Sequence, residues 1–370
     1  MNIMHVGEYV SGGVATYLRT VILYQEECEK VEKISLLMSD KNSEDISQHL
    51  KNTDIIRYPY ERKIFSMLRQ IFSFRKILKK DKPDVIHIHS SFAGVMMRLA
   101  IMTIPKFNGV VVYCAHGWSF LIPDISNLKK QLYLIIEKIL SSVTSKIVNI
   151  SQYEHINSIN LGIPSNKSQV INSGILDQVK RDREVENKDI FNSPESIKLG
   201  FIGRFDRAKG LDLLLSVINK ININIELLII GDSILGDGGD IDKYKCNPNI
   251  HFIGWVDSKS IDSYIQKVDA IVIPSRWEGF GLVALEAMKN HKAVISSKSG
   301  ALPEIVKHNE NGFLFDIENE ESLILLLNNI DKMSLKRMGL NGYRLFKKNF
   351  TENGMNRQLI QLYSDELAKK

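Results

Sequence analysis

Two carboxylates flank a glycine-bearing turn in the second half of this 370-residue chain. Glu278 opens the segment Glu278-Gly-Phe-Gly-Leu, and Glu286 follows within an apolar stretch. The apolar run that ends at Pro274 predicts a buried strand, so the turn joins a strand to a helix. At such a turn, backbone N–H groups meet anionic oxygens, and ionised carboxylates accept hydrogen bonds from hydroxyls. The segment therefore indicates a ligand with both phosphates and hydroxyls, such as a nucleotide sugar.

A second loop places two cations where another apolar run ends. Arg204 and Lys209 follow Gly203 within one short loop and precede an amphipathic helical pattern. Arg can bind a diphosphate in bidentate fashion and Lys as a point charge, and both would stabilise charge that grows on a departing diphosphate. The alternative is an exposed basic turn, where Arg and Lys more commonly lie, and we assign Arg207 to that alternative.

Two further candidates lie in the first half. Gly12 and Gly13 stand between a strand pattern and a helical pattern, so a phosphate could approach their backbone. An ordinary tight turn is the alternative, since the Gly-x-Gly-x-x-Gly dinucleotide pattern is absent. His116 ends an apolar run and is followed by Gly117, which predicts a side chain that faces a ligand. The alternative for His116 is a structural histidine bonded to backbone.

Metal-ligating patterns are weak in this sequence. His87 and His89 are two residues apart and share one face of a predicted strand. A metal site needs a third ligand at suitable spacing, and we find none in the sequence. Asp237 and Asp240 lie in a polar segment without further ligands, which predicts a loop. We therefore predict neither a metal ion nor another cofactor.

Residues 61–82 predict a basic amphipathic helix, because basic side chains alternate with apolar ones at helical spacing. Such a helix suits an anionic bilayer surface. The alternative is an ordinary surface helix whose apolar face packs in its own core. The first 172 residues carry 21 Lys and Arg against 15 Asp and Glu, which favours an anionic partner. Nucleic acid is not predicted as that partner, because no recognition motif accompanies the charge.

Composition and periodicity predict a globular α/β protein. The chain is 44% apolar and 25% charged, as ordinary globular proteins are, and its length suggests about two domains. Short apolar runs alternate with helical patterns and predict five parallel strands in each half. No apolar run approaches the ~18 residues of a membrane-spanning helix. Three scattered cysteines fit a reducing cytoplasm, so we expect the protein in the cytoplasm, at the inner face of the membrane.

Together these motifs resemble the retaining glycosyltransferases of family 4. The likeness runs nearly end to end, and its most specific part is the paired-glutamate motif of Glu278 and Glu286. Arg204 and Lys209 match the family's diphosphate clamp. Ala301 stands where a second glycine is usual, a departure that we expect the fold to tolerate. The group His116-Gly-Trp resembles the version found in bacterial surface-polysaccharide assembly.

The resemblance implies the α/β fold called GT-B, in which two Rossmann-like parallel-sheet domains face each other across a cleft. Residues 1–172 would form an acceptor-binding domain and residues 173–350 a nucleotide-sugar-binding domain. The C-terminal helix, residues 351–370, would return to pack on the N-terminal domain.

The resemblance also assigns each candidate to a part of the bound donor. His116 and Glu278 are the implied catalytic residues. His116 would steady positive charge at the anomeric carbon, and Glu278 would bind hexose hydroxyls. Arg204 and Lys209 would hold the diphosphate. The other implied donor-binding residues are Gly12 and Gly13 at the diphosphate, Val256 beside Trp255 at the base, Phe280, Gly281 and Leu282 through backbone N–H groups, and Glu286 at the ribose.

The expected reaction moves a hexose or N-acetylhexosamine from a nucleotide diphosphate sugar, with UDP as the default nucleotide. It retains anomeric configuration and needs no metal. The acceptor would be lipid-linked or a polysaccharide, in bacterial surface glycan synthesis. The alternatives are a nucleotide-sugar epimerase or a soluble-acceptor transferase of the same fold, and a non-catalytic nucleotide-sugar-binding subunit. Loss of His116 or Glu278 would mark such a subunit, and both are present.

Overall fold

The chain divides into two compact units, each built on one parallel sheet. The computed structural model describes residues 1–10, 12–41, 43, 46, 50–59, 61, 63–233 and 244–370. Ser11, Arg62 and the predicted loop with Asp237 and Asp240 lie outside the described residues. The first unit comprises Met1–Leu176 with Glu352–Lys370, and the second comprises Asp177–Thr351.

The first unit holds a seven-stranded sheet in the order β3-β2-β1-β4-β5-β6-β7. Its central strands are buried on both faces, as expected for parallel strands covered by helices. The strands are β1 (Asn2–Val6), β2 (Lys33–Ser39), β3 (Thr53–Tyr58), β4 (Val85–His89), β5 (Val110–Cys114), β6 (Lys146–Asn149) and β7 (Ser168–Val170).

The second unit holds a six-stranded sheet in the order β10-β9-β8-β11-β12-β13. Its strands are β8 (Ile197–Ile202), β9 (Ile225–Ile230), β10 (Ile250–Gly254), β11 (Ala270–Ile273), β12 (Ala293–Ser297) and β13 (Gly312–Phe315). Every strand pair in both sheets is parallel.

Helices cover both sheets, and their bounds in chain order are α1 (Gly12–Glu26), α2 (Ile64–Asp81), α3 (Ser91–Met102), α4 (Asn127–Leu140), α5 (Gln152–Asn160), α6 (Arg183–Glu186), α7 (Leu211–Ile218), α8 (Ile261–Gln266), α9 (Leu282–Lys289), α10 (Leu302–Ile305), α11 (Glu320–Asn328), α12 (Lys332–Asn349) and α13 (Glu352–Ala368). Within the described ranges, no helix combines the length and the apolar character that crossing a bilayer requires.

The two faces of the first sheet differ in chemistry. Side chains alternate between faces along a strand. Apolar side chains of β1 and β4 pack into one core with Phe74 of α2 and Met97 of α3. The opposite face of these strands carries buried histidines beside α1 and α13. Helix α13 is held there by the Asn356 side chain, whose Nδ2 donates to the backbone oxygen of Thr20 at 3.3 Å.

The predicted α/β architecture of two parallel sheets is confirmed, but the prediction of five strands in each half is wrong. The structure adds β3, β7 and β13, and each of them is an edge strand of its sheet. Strand β3 is half-exposed and carries Asp54 and Arg57, while β7 has three residues and β13 four. Edge strands are often short and charged, so they lack the continuous apolar run that identified the central strands.

Candidate functional site

The predicted residues of the second unit gather at one edge of its sheet. Because its strands are parallel, their carboxyl ends lie along the same edge. Arg204 and Lys209 follow β8, Val256 follows β10, and Glu278 follows β11. Ligands of open α/β sheets bind beyond this edge.

Lys209 and Glu278 are in direct contact. The Nζ of Lys209 donates to Oε2 of Glu278 at 2.7 Å, and the side chains are 27% and 15% exposed. The hydroxyl of Ser275 donates to the same oxygen at 3.3 Å. Asp206 accepts a hydrogen bond from the backbone N–H of Lys209 at 3.1 Å and so supports the turn that carries the lysine. The structure thus joins the predicted diphosphate-binding cation to the predicted sugar-binding acid.

Two glycines allow the loops of this edge to pack backbone against backbone. Gly210 has φ 69°, and a Cβ there would lie 1.9 Å from the backbone oxygen of Pro274. Gly300 has φ 56°, and its Cβ would lie 2.0 Å from the backbone oxygen of Glu278. Ala301 has φ −85°, an ordinary helical value. The alanine that departs from the family pattern therefore needs no left-handed backbone.

Arg276 is a structural residue of this edge that the sequence analysis missed. Its guanidinium forms a bidentate ion pair with Asp212, with both N···O distances 2.7 Å. Nη1 also donates to the backbone oxygen of Arg207 at 2.8 Å, and the Arg276 backbone N–H donates to the oxygen of Ala208 at 2.8 Å. The loops after β8 and β11 are thereby tied together. No local signal marks this contact, because its partners lie 64 residues apart.

Arg204 does not join the contact between Lys209 and Glu278 in this structure. It forms an ion pair with Asp206 of its own loop at 2.8 Å, and its side chain is 53% exposed. Arg207 is exposed, as predicted. The two cations of the predicted clamp thus stand on one loop, each paired with a different carboxylate.

Helix α9 begins directly after the glycine turn. Gly281 has φ 105° and caps the helix, whose first residue is Leu282. Phe280 is buried, with its ring packed edge-on against Phe350 at a centroid distance of 6.0 Å. The first N–H groups of a helix have no partner within the helix. The turn therefore presents donors beside Glu278.

Glu286 lies one turn into α9 in an environment that favours its neutral form. Burial raises the pKa of its carboxyl to about 7, with Lys289 acting against that rise and Asp262 adding to it. Lys289 and Asp262 are themselves paired at 2.8 Å. A carboxyl with a pKa near neutrality changes charge in the working range of an enzyme.

The remaining candidate of this edge lies beyond β10. Gly254 ends the strand with φ 84°. Trp255 is 59% exposed and Val256 is partly buried. An exposed tryptophan offers a flat apolar surface, which is suited to a nucleobase.

Gly12 and Gly13 form the start of α1 in the first unit, and both are exposed. Gly12 has φ 54°, and a Cβ there would meet nothing within 4 Å. A side chain at Gly12 would therefore meet no described atom at the start of this 15-residue helix.

His116 follows β5 with an unusual backbone. Its φ is 53° and that of Gly117 is 117°, whereas few residues other than glycine adopt left-handed values. The ring contacts Tyr17 edge-on at a centroid distance of 4.5 Å, and its Nε2 lies 2.9 Å from Nδ1 of His89. Burial lowers the pKa of His116 to about 4, so the ring is neutral at pH 7. The partner of its Nε2 is thus a side chain, whereas the alternative of a structural histidine predicted a bond to the backbone.

The structure supplies the third histidine that the sequence analysis did not find. His5 of β1 pairs in register with His87 of β4, and one nitrogen of each of His5, His87 and His89 lies within 4.8 Å of the others. Each of these rings forms a hydrogen bond, to Gln25, to Tyr363 or to another histidine. Spacing along the chain did not reveal His5, because β1 and β4 are neighbours in the sheet although distant in sequence.

The two parallel sheets, with candidate residues beyond the carboxyl ends of their strands, define an α/β protein, and comparisons with known proteins identify its family. Residues 11–178 match the family described as Glycosyltransferase Family 4, and residues 182–344 match Glycosyl transferases group 1. The chain is 33% identical to an uncharacterized 41.2 kDa protein in the cps region of Klebsiella pneumoniae, over 88% of this chain and 89% of that protein. The chain therefore belongs to the family 4 glycosyltransferases.

Two further comparisons are informative. The chain is 26% identical to the UDP-Gal:alpha-D-GlcNAc-diphosphoundecaprenol alpha-1,3-galactosyltransferase of Escherichia coli, over 76% of this chain and 77% of that enzyme. The crystal structure of Anabaena HepE in complex with UDP and glucose superposes with a TM-score of 0.81, at 18% identity and with 98% and 99% of the chains covered. That likeness shows a shared GT-B fold.

Proposed function

We propose that this glycosyltransferase moves a hexose or N-acetylhexosamine from a UDP-linked donor to a lipid-linked or polysaccharide acceptor in bacterial surface glycan synthesis. The observation that carries the proposal is the contact of Lys209 with Glu278, which sets a cation for a diphosphate beside an acceptor for sugar hydroxyls. The E. coli relative, whose name includes a UDP-linked donor and a diphosphoundecaprenol acceptor, supports the choice of donor and acceptor.

In the proposed complex the diphosphate lies against the loop after β8. Lys209 and Arg204 bind its oxygens, and Arg204 exchanges Asp206 for the ligand. The backbone N–H groups of Gly12 and Gly13 donate to the same diphosphate in this proposal. Fixed positive charge stabilises the diphosphate most as it leaves, because negative charge grows on it in the transition state.

The sugar and nucleoside have their own contacts in this proposal. Glu278 accepts hydrogen bonds from hexose hydroxyls, and His116 offers a neutral ring toward the anomeric centre. Glu286 accepts from the ribose hydroxyls. The other proposed contacts are Val256 at the base and the backbone N–H groups of Phe280, Gly281 and Leu282 beside the sugar.

We propose that anomeric configuration is retained by attack on the same face from which the phosphate departs. The leaving phosphate oxygen accepts the proton of the acceptor hydroxyl as the new glycosidic bond forms. Arg204 and Lys209 supply the positive charge that stabilises the diphosphate, so the reaction requires no metal ion in this proposal.

The acceptor side of the proposal includes an anionic membrane surface bound through residues 61–82. Helix α2 has the side-chain pattern of both alternatives that the sequence left open. Phe74 and Leu78 are buried in the core of the first unit, while Phe65 is 87% exposed and Phe72 60% exposed. Leu68 completes the exposed stripe, and exposed lysines flank it. A basic helix with outward apolar side chains is suited to anionic lipid headgroups.

Helix α4 adds a second exposed stripe in the same unit. Four aliphatic side chains recur on it at helical spacing, and each is more than half exposed: Leu128, Leu132, Ile135 and Ile139. Helix α3 contacts both α2 and α4, so the three helices cover one face of the sheet. This surface supports a place for the enzyme on the membrane at its cytoplasmic side, where its three free cysteines would stay reduced.

The decisive experiment combines binding with product analysis. A thermal-shift screen over nucleotide sugars identifies the donor, because a ligand that binds only the native state raises its stability. The product formed with a diphosphoundecaprenol-linked sugar is then analysed by NMR. An α-linked product from an α-linked donor, formed at full rate after EDTA treatment, is the expected result. An inverted product would overturn retention, and loss of turnover that a divalent ion restores would overturn metal independence.

The alternatives give different products from the same materials. An epimerase converts the sugar nucleotide in the absence of any acceptor. A soluble-acceptor transferase works with a free sugar and gains nothing from the lipid. A binding subunit shows a thermal shift without turnover.

A further inference from the structure

Three imidazoles form a continuous row of hydrogen bonds in the first unit, and the row begins at Gln25. The Oε1 of Gln25 lies 2.8 Å from Nε2 of His5. Nδ1 of His5 lies 3.1 Å from Nε2 of His89, and Nδ1 of His89 lies 2.9 Å from Nε2 of His116. Gln25, His5 and His89 are buried, whereas His116 is partly exposed. The row therefore runs from the buried side of α1 to the residue proposed at the sugar.

All three rings are neutral at physiological pH. Burial lowers the pKa of His5 to about 4, although its hydrogen bond to Gln25 acts in the opposite direction. Burial also lowers the pKa of His116 to about 4. The pKa of His89 is well below its usual value because of burial and the neighbouring histidines. A neutral imidazole has one N–H and one lone pair.

Because all three rings are neutral, every hydrogen bond in the row donates in the same direction. Each link needs one N–H and one lone pair, and each ring has one of each. Once donor and acceptor are assigned in one hydrogen bond of the row, they are assigned in every other. The carbonyl oxygen of Gln25 only accepts, so Nε2 of His5 carries the hydrogen and Nδ1 of His5 accepts from His89. His89 therefore carries its hydrogen on Nε2, so its Nδ1 accepts a hydrogen bond from the Nε2–H of His116.

We infer that Gln25 sets the tautomer of His116 through His5 and His89, so that His116 presents the bare lone pair of Nδ1 to its ligand. The inference rests on the proposed function for the identity of that ligand, the donor sugar. Gln25, His5 and His89 are positioning residues in this scheme, because they act on the sugar only through His116.

The direction of the row matters for the proposed chemistry. A lone pair on Nδ1 accepts a hydrogen bond from a sugar hydroxyl and faces developing positive charge at the anomeric carbon favourably. A reversed row would place an N–H there, with its partial positive charge toward the same carbon. The tautomer therefore decides whether His116 stabilises or opposes the transition state.

Backbone strain marks two points along the row. His116 has φ 53° and Ser90, which follows His89 directly, has φ 77°. Left-handed backbone at residues other than glycine is strained and persists where the surroundings impose it. The rings are also enclosed, with His89 5.7 Å from the ring of Tyr17 by centroid distance. These features hold the hydrogen-bond geometry rather than leaving it to side-chain motion.

The direct test is ¹⁵N NMR of the full-length protein labelled at histidine, at pH 7 and without ligand. We expect His5, His89 and His116 each to show a neutral ring with hydrogen on Nε2 and none on Nδ1. Single substitutions of the histidines by Gln assign the signals. Hydrogen on Nδ1 of His116, or a charged ring at pH 7, would overturn the inference.

Substitutions at Gln25 test the coupling, because an isolated histidine can also favour the Nε2–H form. Q25L removes the acceptor, so the nitrogen shifts of His89 and His116 should move. Unchanged shifts at His116 in a folded Q25L protein would contradict the coupling. N356L is the matched control, since it removes another buried carboxamide that contacts α1 but lies outside the row.

Turnover provides the second readout. We expect Q25L to lower kcat about tenfold with little change in KM, the scale of one lost hydrogen bond. Equal losses in Q25L and N356L would show a merely structural role. Because the NMR measurement needs no substrate, an absence of glycosyl transfer would refute the proposed function without deciding the tautomer.

Discussion

Lys209 and Glu278 are hydrogen-bonded at 2.7 Å although 69 residues separate them in the sequence. Each charge holds the other in place beside the loops that carry them. A nucleotide sugar would take over both partners, with its diphosphate at the lysine and its hydroxyls at the carboxylate.

Replacing Lys209 with Ala should nearly abolish transfer. The change removes a positive charge from the diphosphate and leaves Glu278 without its ion pair. We expect kcat to fall about 10²–10³-fold, the usual effect of losing one transition-state donor. Steady-state kinetics with a saturating acceptor measures it, and R204A should show a loss of the same kind.

The control for these variants is R207A, which removes an exposed cation of the same loop. Its kcat should stay within about twofold of wild type, since exposed charges contribute little. A loss in R207A equal to that in K209A would mean that net charge of the loop, and not a specific contact, is responsible. Undiminished turnover in both K209A and R204A would refute the clamp.

Replacing Glu286 with Gln should make the protein more stable and its donor binding weaker. The native pKa of about 7 lies above the usual value of 4.5. Between these values the unfolded chain releases a proton that the native state keeps, so stability falls as pH rises through this window. Above pH 7 the free-energy cost of keeping Glu286 ionised in the native state no longer changes with pH. E286Q removes this cost, so the free energy of unfolding at pH 8 should be roughly 1–3 kcal/mol higher than in the wild type.

Denaturant unfolding at pH 8 and pH 4.5 measures this effect, which should vanish at the lower pH. Donor affinity should meanwhile fall about tenfold, because an amide has one acceptor oxygen where the carboxylate has two. Calorimetric titration from pH 6 to pH 8 should show affinity that rises with pH in the wild type and stays flat in E286Q. Equal stability of both proteins at pH 8 would show that Glu286 is not held in an unfavourable environment.

Gly210→Ala should destabilise the second unit. The added Cβ would lie 1.9 Å from the oxygen of Pro274, at a residue with φ 69°. We expect a loss of at least ~2 kcal/mol, from left-handed strain and from displacement of the loop. G203A is the matched control, since its nearest contact would be an ordinary 3.5 Å to the ring of Phe201. Thermal unfolding of both variants measures the difference, and equal midpoints would contradict the close approach.

Membrane binding should depend on the exposed stripe of α2. Vesicles with anionic lipid should sediment the wild-type protein at low salt and release it as salt rises, because the screening length shortens. The double variant F65S/F72S should bind at least tenfold more weakly. The control L325S/M333S exchanges two exposed apolar residues of the second unit and should bind as wild type does. Equal binding by both variants would exclude a role for α2.

Local patterns in the sequence determined much of this protein. Continuous apolar runs predict the buried central strands, because a parallel strand is covered on both faces. Glycine positions and nearby charges predicted the loops of Lys209 and Glu278. The chemistry expected of these loops depended on residue types within a few positions of one another, which is information that the chain carries directly.

Only the tertiary structure decided which distant residues meet. The contact of Lys209 with Glu278 and the bidentate pair of Arg276 with Asp212 depend on β8 and β11 being neighbours. The histidine row depends on β1 lying beside β4, which brings His5 to His89 across 84 residues. Strand order in a parallel sheet is set by helix packing over the whole unit, and no residue pattern within one strand encodes it. The sequence therefore identified the individual groups, while the order of the strands determined which of them touch.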